Sequence, residues 1–165
     1  MHNPMIIDFH THIFPDSLRK NRQRYLERDA TFRELFSNPN TKLSSAEELV
    51  QAMDEDGVDM SVVMGIGWSD HGLASESNDY IIDSVNRYSD RIIGFAGVNP
   101  SWNAWAAEEA DRCARAGLCG IGELHPDSQE FDLGNANTMA PLMVVVKEHS
   151  LVVTTHSSEP VGHMY

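Results

Sequence analysis

The chain has 165 residues, which is enough for one domain with a sizeable core, and its 41% hydrophobic residues are typical of a globular protein. Lys and Arg number 12 against 25 Asp and Glu, a formal net charge of −13. This excess disfavours nucleic acid and anionic membrane surfaces as partners, because both are bound by clustered basic residues. There is no apolar run of ~18 residues, no signal peptide pattern, and no CxxC spacing between the cysteines. We therefore expect a cytoplasmic protein.

The first third of the chain is predicted to hold two strands with helices between them. Residues 5–9, MIIDF, are a short apolar run that predicts a buried strand, and residues 16–36 predict a helix or an irregular helical segment. Residues 44–47 resemble a capping box, so a helix should begin there and run to about residue 56, where Gly57 ends it. Residues 57–68, GVDMSVVMGIGW, predict the second buried strand.

The rest of the chain repeats a strand and a helix at intervals of about 30 residues, the length of one βα unit. Continuous apolar strands alternating with helices predict a parallel sheet that is buried on both faces. In order, the predicted elements are a helix at 75–89, a strand at 91–100, a helix at 103–116, a strand at 117–126, a helix at 135–149 and a strand at 150–160. With no linker or low-complexity segment, residues 1–165 are predicted to form a single α/β domain.

Two architectures fit this alternation, a doubly wound open sheet and a (β/α)8 barrel. A dinucleotide-binding fold has no support, because no GxGxxG motif follows the first strand. Polar residues that can bind metal follow the first, fourth and fifth strands, and barrel enzymes place their chemistry at the carboxyl ends of their strands. The pattern therefore favours the barrel.

The first candidate site is the sequence Asp8-Phe9-His10-Thr11-His12 at the end of the first strand. Residues at positions i and i+2 of a strand point to the same face, with Cα atoms ~6.6 Å apart, so His10 and His12 can reach one metal ion. Asp8 points the same way and is placed to orient a ligand histidine. The alternative is a strand end with two structurally satisfied histidines.

The second candidate site is Gly122-Glu123-Leu124-His125 at the end of the fourth strand. A carboxylate at the end of an apolar strand must be paired, hydrated or bound to a cation, so Glu123 is a candidate metal ligand that can bridge two ions. His125 lies on the same face by its spacing and is a competing candidate, which we assign to substrate binding. One of the two residues could instead face solvent.

The third candidate site follows the fifth strand, where His156 is placed to complete a metal site begun by His10 and His12. Glu159 and His163 follow in the same loop and are candidate substrate contacts, although exposed loop positions are the simpler interpretation. Trp68, at the end of the second strand, is predicted to wall the pocket.

These motifs, IIDFHTHIFP, GVNP, GIGELHP and HSSEPVGH, resemble the amidohydrolase superfamily, particularly its amidohydrolase-related branch. The resemblance implies a (β/α)8 barrel with one or two divalent metals at its mouth. His10, His12 and His156 match the ligand positions of the family, with His156 also assigned a catalytic role. Glu123 resembles the strand-four glutamate of TatD-like relatives, which bridges two metals.

The resemblance further implies a metal-dependent hydrolase that acts on a small amide or ester. Family members complete the site with a histidine on strand six and an aspartate on strand eight, so we expect this chain to be an N-terminal portion, truncated after about five βα units. Zinc is the expected metal, with manganese, iron and cobalt as alternatives. Two other functions stay open, a decarboxylase or lyase of the same fold and a non-catalytic truncated barrel. A homo-oligomer also stays open.

Overall fold

Five parallel strands form the sheet in the computed structural model, which describes residues 4–157. Their order in space is the same as their order in sequence, β1-β2-β3-β4-β5, as the βα repeat predicts. Strands β2 to β5 are shorter than their predicted segments, because the glycines and polar residues at their ends belong to the loops, whereas β1 keeps its predicted length but begins two residues later. The strands are β1 (Ile7–Thr11), β2 (Met60–Val63), β3 (Ile92–Ala96), β4 (Gly120–Leu124) and β5 (Val152–Thr155).

Seven α-helices lie among the described residues, and one short 3-10 helix, Pro100–Trp102, follows β3. The helices are α1 (Asp16–Lys20), α2 (Arg22–Arg28), α3 (Ala30–Phe36), α4 (Ala46–Asp56), α5 (His71–Arg87), α6 (Ala104–Arg115) and α7 (Ala136–His149). No helix within residues 4–157 is long and apolar enough to cross a membrane.

Helix caps explain where the helices depart from the sequence prediction. The segment 16–36 divides into three helices, and Asp29 begins the third by accepting a hydrogen bond from the backbone N–H of Phe32 at 2.8 Å. Helix α5 begins four residues earlier than predicted, because Asp70 caps it in the same way. The predicted capping box is confirmed at Ser45, with Glu48 as its partner.

The sheet has an apolar layer on each of its faces, because successive side chains of a strand point to opposite faces. On the outer face, Val63 and Ile121 pack against the helices in the main core cluster. On the inner face, Val62, Met64 and Phe95 form a second, smaller cluster. Neighbouring residues of β2 therefore face opposite layers, which is the arrangement of a barrel wall. The described strands form a curled half-barrel with helices outside it.

Candidate metal centre

Three side chains from β1 and β4 converge at the carboxyl ends of their strands. The Nε2 atom of His10 lies 3.1 Å from Nε2 of His12 and 3.0 Å from Oε2 of Glu123. Ligand atoms that bind one zinc ion at ~2.0–2.1 Å are themselves about 2.9–3.4 Å apart in tetrahedral or octahedral geometry. The two distances from His10 Nε2 fall within this range, and the third pair, His12 Nε2 and Glu123 Oε2, is 3.8 Å apart. A shared divalent ion would therefore require that pair to close by about 0.4 Å.

The backbone of β2 fixes the orientation of His12. Its Nδ1 atom lies 3.0 Å from the carbonyl oxygen of Met64. A carbonyl can only accept a hydrogen bond, so Nδ1 carries the proton and the lone pair of Nε2 faces His10 and Glu123. Burial lowers the pKa of His12 and favours this neutral form. Asp8 accepts from the backbone N–H of His10 at 3.2 Å, so it contacts a candidate ligand histidine through the main chain rather than through the ring.

Irregular strand pairing accompanies both halves of the site. The β1–β2 register shifts between Asp8 and Thr11, and the β4–β5 register shifts between Ile121 and Leu124. Such irregularities redirect side chains and are common beside active sites. As a result, Phe9 and His10, which are neighbours in sequence, both line the same cavity.

Glu123 is the residue that connects the two halves. Its Oε1 atom lies 3.0 Å from Nδ1 of His156, while its Oε2 atom lies 3.0 Å from Nε2 of His10. Burial alone would raise the pKa of this carboxyl, but the close imidazoles of His125 and His156 outweigh burial and lower the pKa to about 2. Glu123 is therefore ionised at neutral pH and supplies a negative charge to a cation.

His125 extends the cluster on the β4 side. Its ring is buried and stacks on the ring of His156, with centroids 4.6 Å apart and an interplanar angle of 13°. Its Nε2 atom lies 3.2 Å from Oε2 of Glu123, but it has no hydrogen bond of good geometry among the described residues. Two triads of potential ligands thus share Glu123, one with His10 and His12 and one with His125 and His156. An orphaned buried nitrogen in this donor set is a further sign that the residues fit a metal ion.

The cluster opens into a cavity of about 530 Å³, a size that suits a small molecule. Phe9 and Met64 give it an apolar wall, and hydroxyl groups from the end of β5 give it a polar one. Its lining residues are Asp8, Phe9, His10, Met64, Glu123, Thr154, Thr155, His156 and Ser157.

Trp68, which was predicted to wall the pocket, is buried. Its side chain is only 1% exposed and stacks on Phe32, with ring centroids 5.8 Å apart. The left-handed conformation of Gly67, with φ of +47°, turns the chain just before Trp68, and the ring is buried in an aromatic cluster. Trp68 does not line the described cavity beside the cluster, and its place in a pocket wall stays a prediction. Glu159 and His163 lie outside the described residues.

Two contributions to the site have no motif in the sequence. The Met64 carbonyl orients His12, and no sequence motif reports a backbone carbonyl. Gly67 makes room for His125, since a Cβ atom at position 67 would lie 2.7 Å from Cδ2 of the imidazole. Glycines after β2 are typical of places where another group packs closely against the backbone, but the sequence does not identify His125 as that group.

The fold and the position of this cluster define the class to which the chain belongs. The amidohydrolase family model matches residues 7–164, and the chain is a member of the amidohydrolase family. Among curated proteins, no sequence matches this chain.

Solved structures share the fold at low sequence identity. A 5-carboxyvanillate decarboxylase from Novosphingobium aromaticivorans, with bound manganese, has 22% identity and a TM-score of 0.75 over 93% of this chain and 51% of its own. A 4-oxalomesaconate hydratase from Rhodopseudomonas palustris has 23% identity and a TM-score of 0.63 over 93% and 53%. A probable 2-pyrone-4,6-dicarboxylic acid hydrolase from Acinetobacter baumannii has 16% identity and a TM-score of 0.57 over 92% and 49%. The chain therefore spans about half the length of these structures.

Proposed function

We propose that this chain carries the metal-binding part of a metal-dependent hydrolase that acts on a small amide or ester. The observation that supports the proposal is the convergence of His10, His12 and His156 on one ionised carboxylate, Glu123. The cavity of about 530 Å³ beside them suits a small-molecule substrate.

The proposed chemistry is the addition of water to a carbonyl carbon, followed by cleavage of the C–N or C–O bond. His10, His12, Glu123 and His156 would hold a divalent metal, which when bound polarises the carbonyl and lowers the pKa of a water molecule. Glu123 offsets the positive charge, and the Met64 carbonyl keeps the Nε2 lone pair of His12 directed at the cluster.

His156 is the residue to which we assign proton handling. Its Nδ1 atom donates to Glu123 Oε1 at 3.0 Å, so in the neutral ring Nε2 has the lone pair that can bind a metal ion or accept a proton. A carboxylate that orients an imidazole in this way also raises its basicity. His125 stacks on this ring and is proposed to contact the substrate.

Zinc is the metal we propose first, and manganese, iron and cobalt accept the same imidazole and carboxylate donors. Metal analysis of protein purified without chelators should show a bound divalent ion. Substitution of Glu123 by Gln should remove most of that ion.

A metal-dependent decarboxylase is the second candidate. One observation favours it, the higher TM-score with the decarboxylase, 0.75, than with the hydrolase, 0.57. Here a C–C bond breaks, carbon dioxide leaves with the carboxylate carbon, and a proton replaces it on the remaining carbon.

Product analysis on the metal-loaded protein separates the two reactions. The protein, with Glu123→Gln as control, is assayed on a panel of small amides, esters and lactones and on a panel of aromatic carboxylic acids. Release of an amine or alcohol above the control supports the hydrolase, whereas release of carbon dioxide supports the decarboxylase. Stoichiometric metal without turnover on either panel would favour a non-catalytic metal-binding barrel.

A further inference from the structure

A buried amide side chain, that of Gln129, lies just behind the β4 half of the metal centre. Gln129 is 3% exposed and belongs to the loop that follows β4. Its Oε1 atom accepts from the backbone N–H of His125 at 2.9 Å, and its own backbone N–H donates to the His125 carbonyl at 2.8 Å. His125 is therefore held on both sides of its backbone by one residue.

The other half of the Gln129 amide reaches two more strand ends. Its Nε2 atom donates to the carbonyl of Trp68, which follows β2, at 3.0 Å and to the carbonyl of Val98, which follows β3, at 3.1 Å. In addition, the side chain of Asn99 donates to the backbone carbonyl of Gln129 at 3.0 Å. The side-chain amide of Gln129 therefore uses its oxygen and both of its N–H hydrogens. These bonds join the carboxyl ends of three neighbouring strands, β2, β3 and β4.

The packing of the His125 ring depends on the segment that Gln129 holds. The imidazole lies on Gly67, where a Cβ atom would come within 2.7 Å of it, and stacks under His156. Because Gly67 immediately precedes Trp68, the same amide that holds the His125 backbone also holds the segment on which its ring rests. A change in either bond would move the ring relative to Glu123, 3.2 Å away.

We propose that Gln129 is a positioning residue of the metal centre, which holds His125 and the stacked ring of His156 in register with Glu123. This inference rests on the proposed metal-binding function. Outer residues that orient metal-binding side chains typically change metal affinity by about 10- to 100-fold when they are replaced.

A matched control separates positioning from plain structural support. Asn78 is also a fully buried amide near the end of β3; it donates to Gly97 O at 3.0 Å and to Glu109 Oε1 at 2.8 Å, and accepts from Gly97 N. It does not contact His125. Gln129→Met and Asn78→Leu remove comparable hydrogen bonds at nearly constant volume.

The experiment measures Co²⁺ affinity by titration and the visible absorption spectrum of the Co²⁺ complex. Gln129→Met should weaken Co²⁺ binding about 10-fold and change the spectrum, whereas Asn78→Leu should change affinity by less than about 2-fold at a similar loss of stability. In a His125→Ala background the effect of Gln129→Met should largely disappear, because it acts through His125. Equal effects of the two amide variants, or full additivity with His125→Ala, would overturn the proposal.

A second Gln129 variant and hydrogen exchange of the unmodified chain test the proposal independently of Gln129→Met. If Gln129→Met does not fold, Gln129→Asn keeps an amide but shortens the side chain by one methylene, so that it cannot span the same bonds, and a similar loss of affinity is expected. In the unmodified chain, the amide hydrogens of His125 and Gln129 should exchange at least about 100-fold more slowly than those of exposed loops. Fast exchange would show that the connection is absent. Failure of the unmodified chain to bind Co²⁺ would overturn the proposed function, whereas binding with an indifferent Gln129→Met overturns this inference alone.

Discussion

The two halves of the metal centre differ in how firmly the protein holds them. On the β4 half, the side chains of Glu123 and His125 are 10% and 4% exposed, whereas on the β1 half those of His10 and His12 are 55% and 24% exposed. Strand β4 has a neighbour on each side, while β1 pairs only with β2 among residues 4–157. Ligands on a central strand are thus oriented by several neighbours, and ligands on an edge strand by few.

The two β1 histidines repeat this difference on a smaller scale. His12 is anchored by the Met64 carbonyl of the neighbouring strand, and burial lowers its pKa. Among residues 4–157, the hydrogen bonds of the His10 side chain are all within the cluster, to His12 and Glu123. The arrangement of His10 therefore depends on Glu123, and we expect the β4 half to organise the whole site.

The largest effect is expected at Gly122, directly before Glu123. Its φ is +146°, and a Cβ atom there would lie 1.9 Å from Oγ1 of Thr154. Gly122→Ala should therefore lower the free energy of unfolding by about 3 kcal/mol or more, and it should displace Glu123. Gly117→Ala is the control, since Gly117 also has a positive φ, +101°, but nothing lies within 4 Å of its Cβ position. It should cost only about 1 kcal/mol. Equal losses in chemical denaturation would contradict the close contact.

Replacement of Glu123 by Gln tests the proposed metal site without a change of volume. Loss of the charge that faces His10, His125 and His156 should weaken binding of Zn²⁺ about 100-fold or more, which corresponds to about 2.7 kcal/mol. Glu109→Gln is the control, because Glu109 is comparably buried but belongs to α6, where it accepts a hydrogen bond from Asn78 of α5. Calorimetric titration should show an unchanged Zn²⁺ affinity for it. Similar losses in both variants would mean that the carboxylate acts through stability.

The sequence predicted the strand order and the meeting of His10, His12, Glu123 and His156, because both follow from local apolar runs and from the shared edge of a parallel sheet. Their ligand roles stay predictions. The register shifts at Asp8 and Ile121 could not be predicted, since they depend on how two distant segments pair. The same reason applies to Met64, whose carbonyl acts on a residue 52 positions away. Trp68 follows a left-handed glycine, Gly67, and no pattern in the sequence predicts that its ring packs on Phe32.

Glu109 provides a prediction for acid stability away from the metal centre. Burial would raise its pKa, but hydrogen bonds from Arg112 and Asn78 outweigh burial, so its pKa lies below the ordinary value of 4.5. A carboxyl with a depressed pKa stabilises the fold above its unfolded pKa, and this contribution is lost as the pH falls through the folded pKa.

The measurement compares the unmodified chain with Glu109→Gln over a range of pH. At pH 7 the variant should lose about 2 kcal/mol of unfolding free energy, because Arg112 and Asn78 lose a charged partner. The difference between the two proteins should shrink as the pH falls below 4.5. A difference that stays constant down to strongly acidic pH would show that the Glu109 charge contributes nothing.

The smallest change in stability is expected for a substitution on the edge strand β1. Ile7 is 45% exposed, and its neighbours Ile6 and Phe9 are 52% and 53% exposed. Unpaired strand edges with apolar side chains promote association, and lysine at such an edge opposes it. Ile7→Lys should therefore reduce self-association of the 165-residue chain, measured by light scattering, at a cost of about 1 kcal/mol or less.

Val144→Lys is the control, because Val144 is 65% exposed but lies on α7. If both lysines reduce association equally, general charge is the cause and the β1 edge has no special role. A response confined to Ile7 would identify β1 as the surface at which the sheet takes a neighbour, and would explain why the histidines of this strand are the more exposed half of the site.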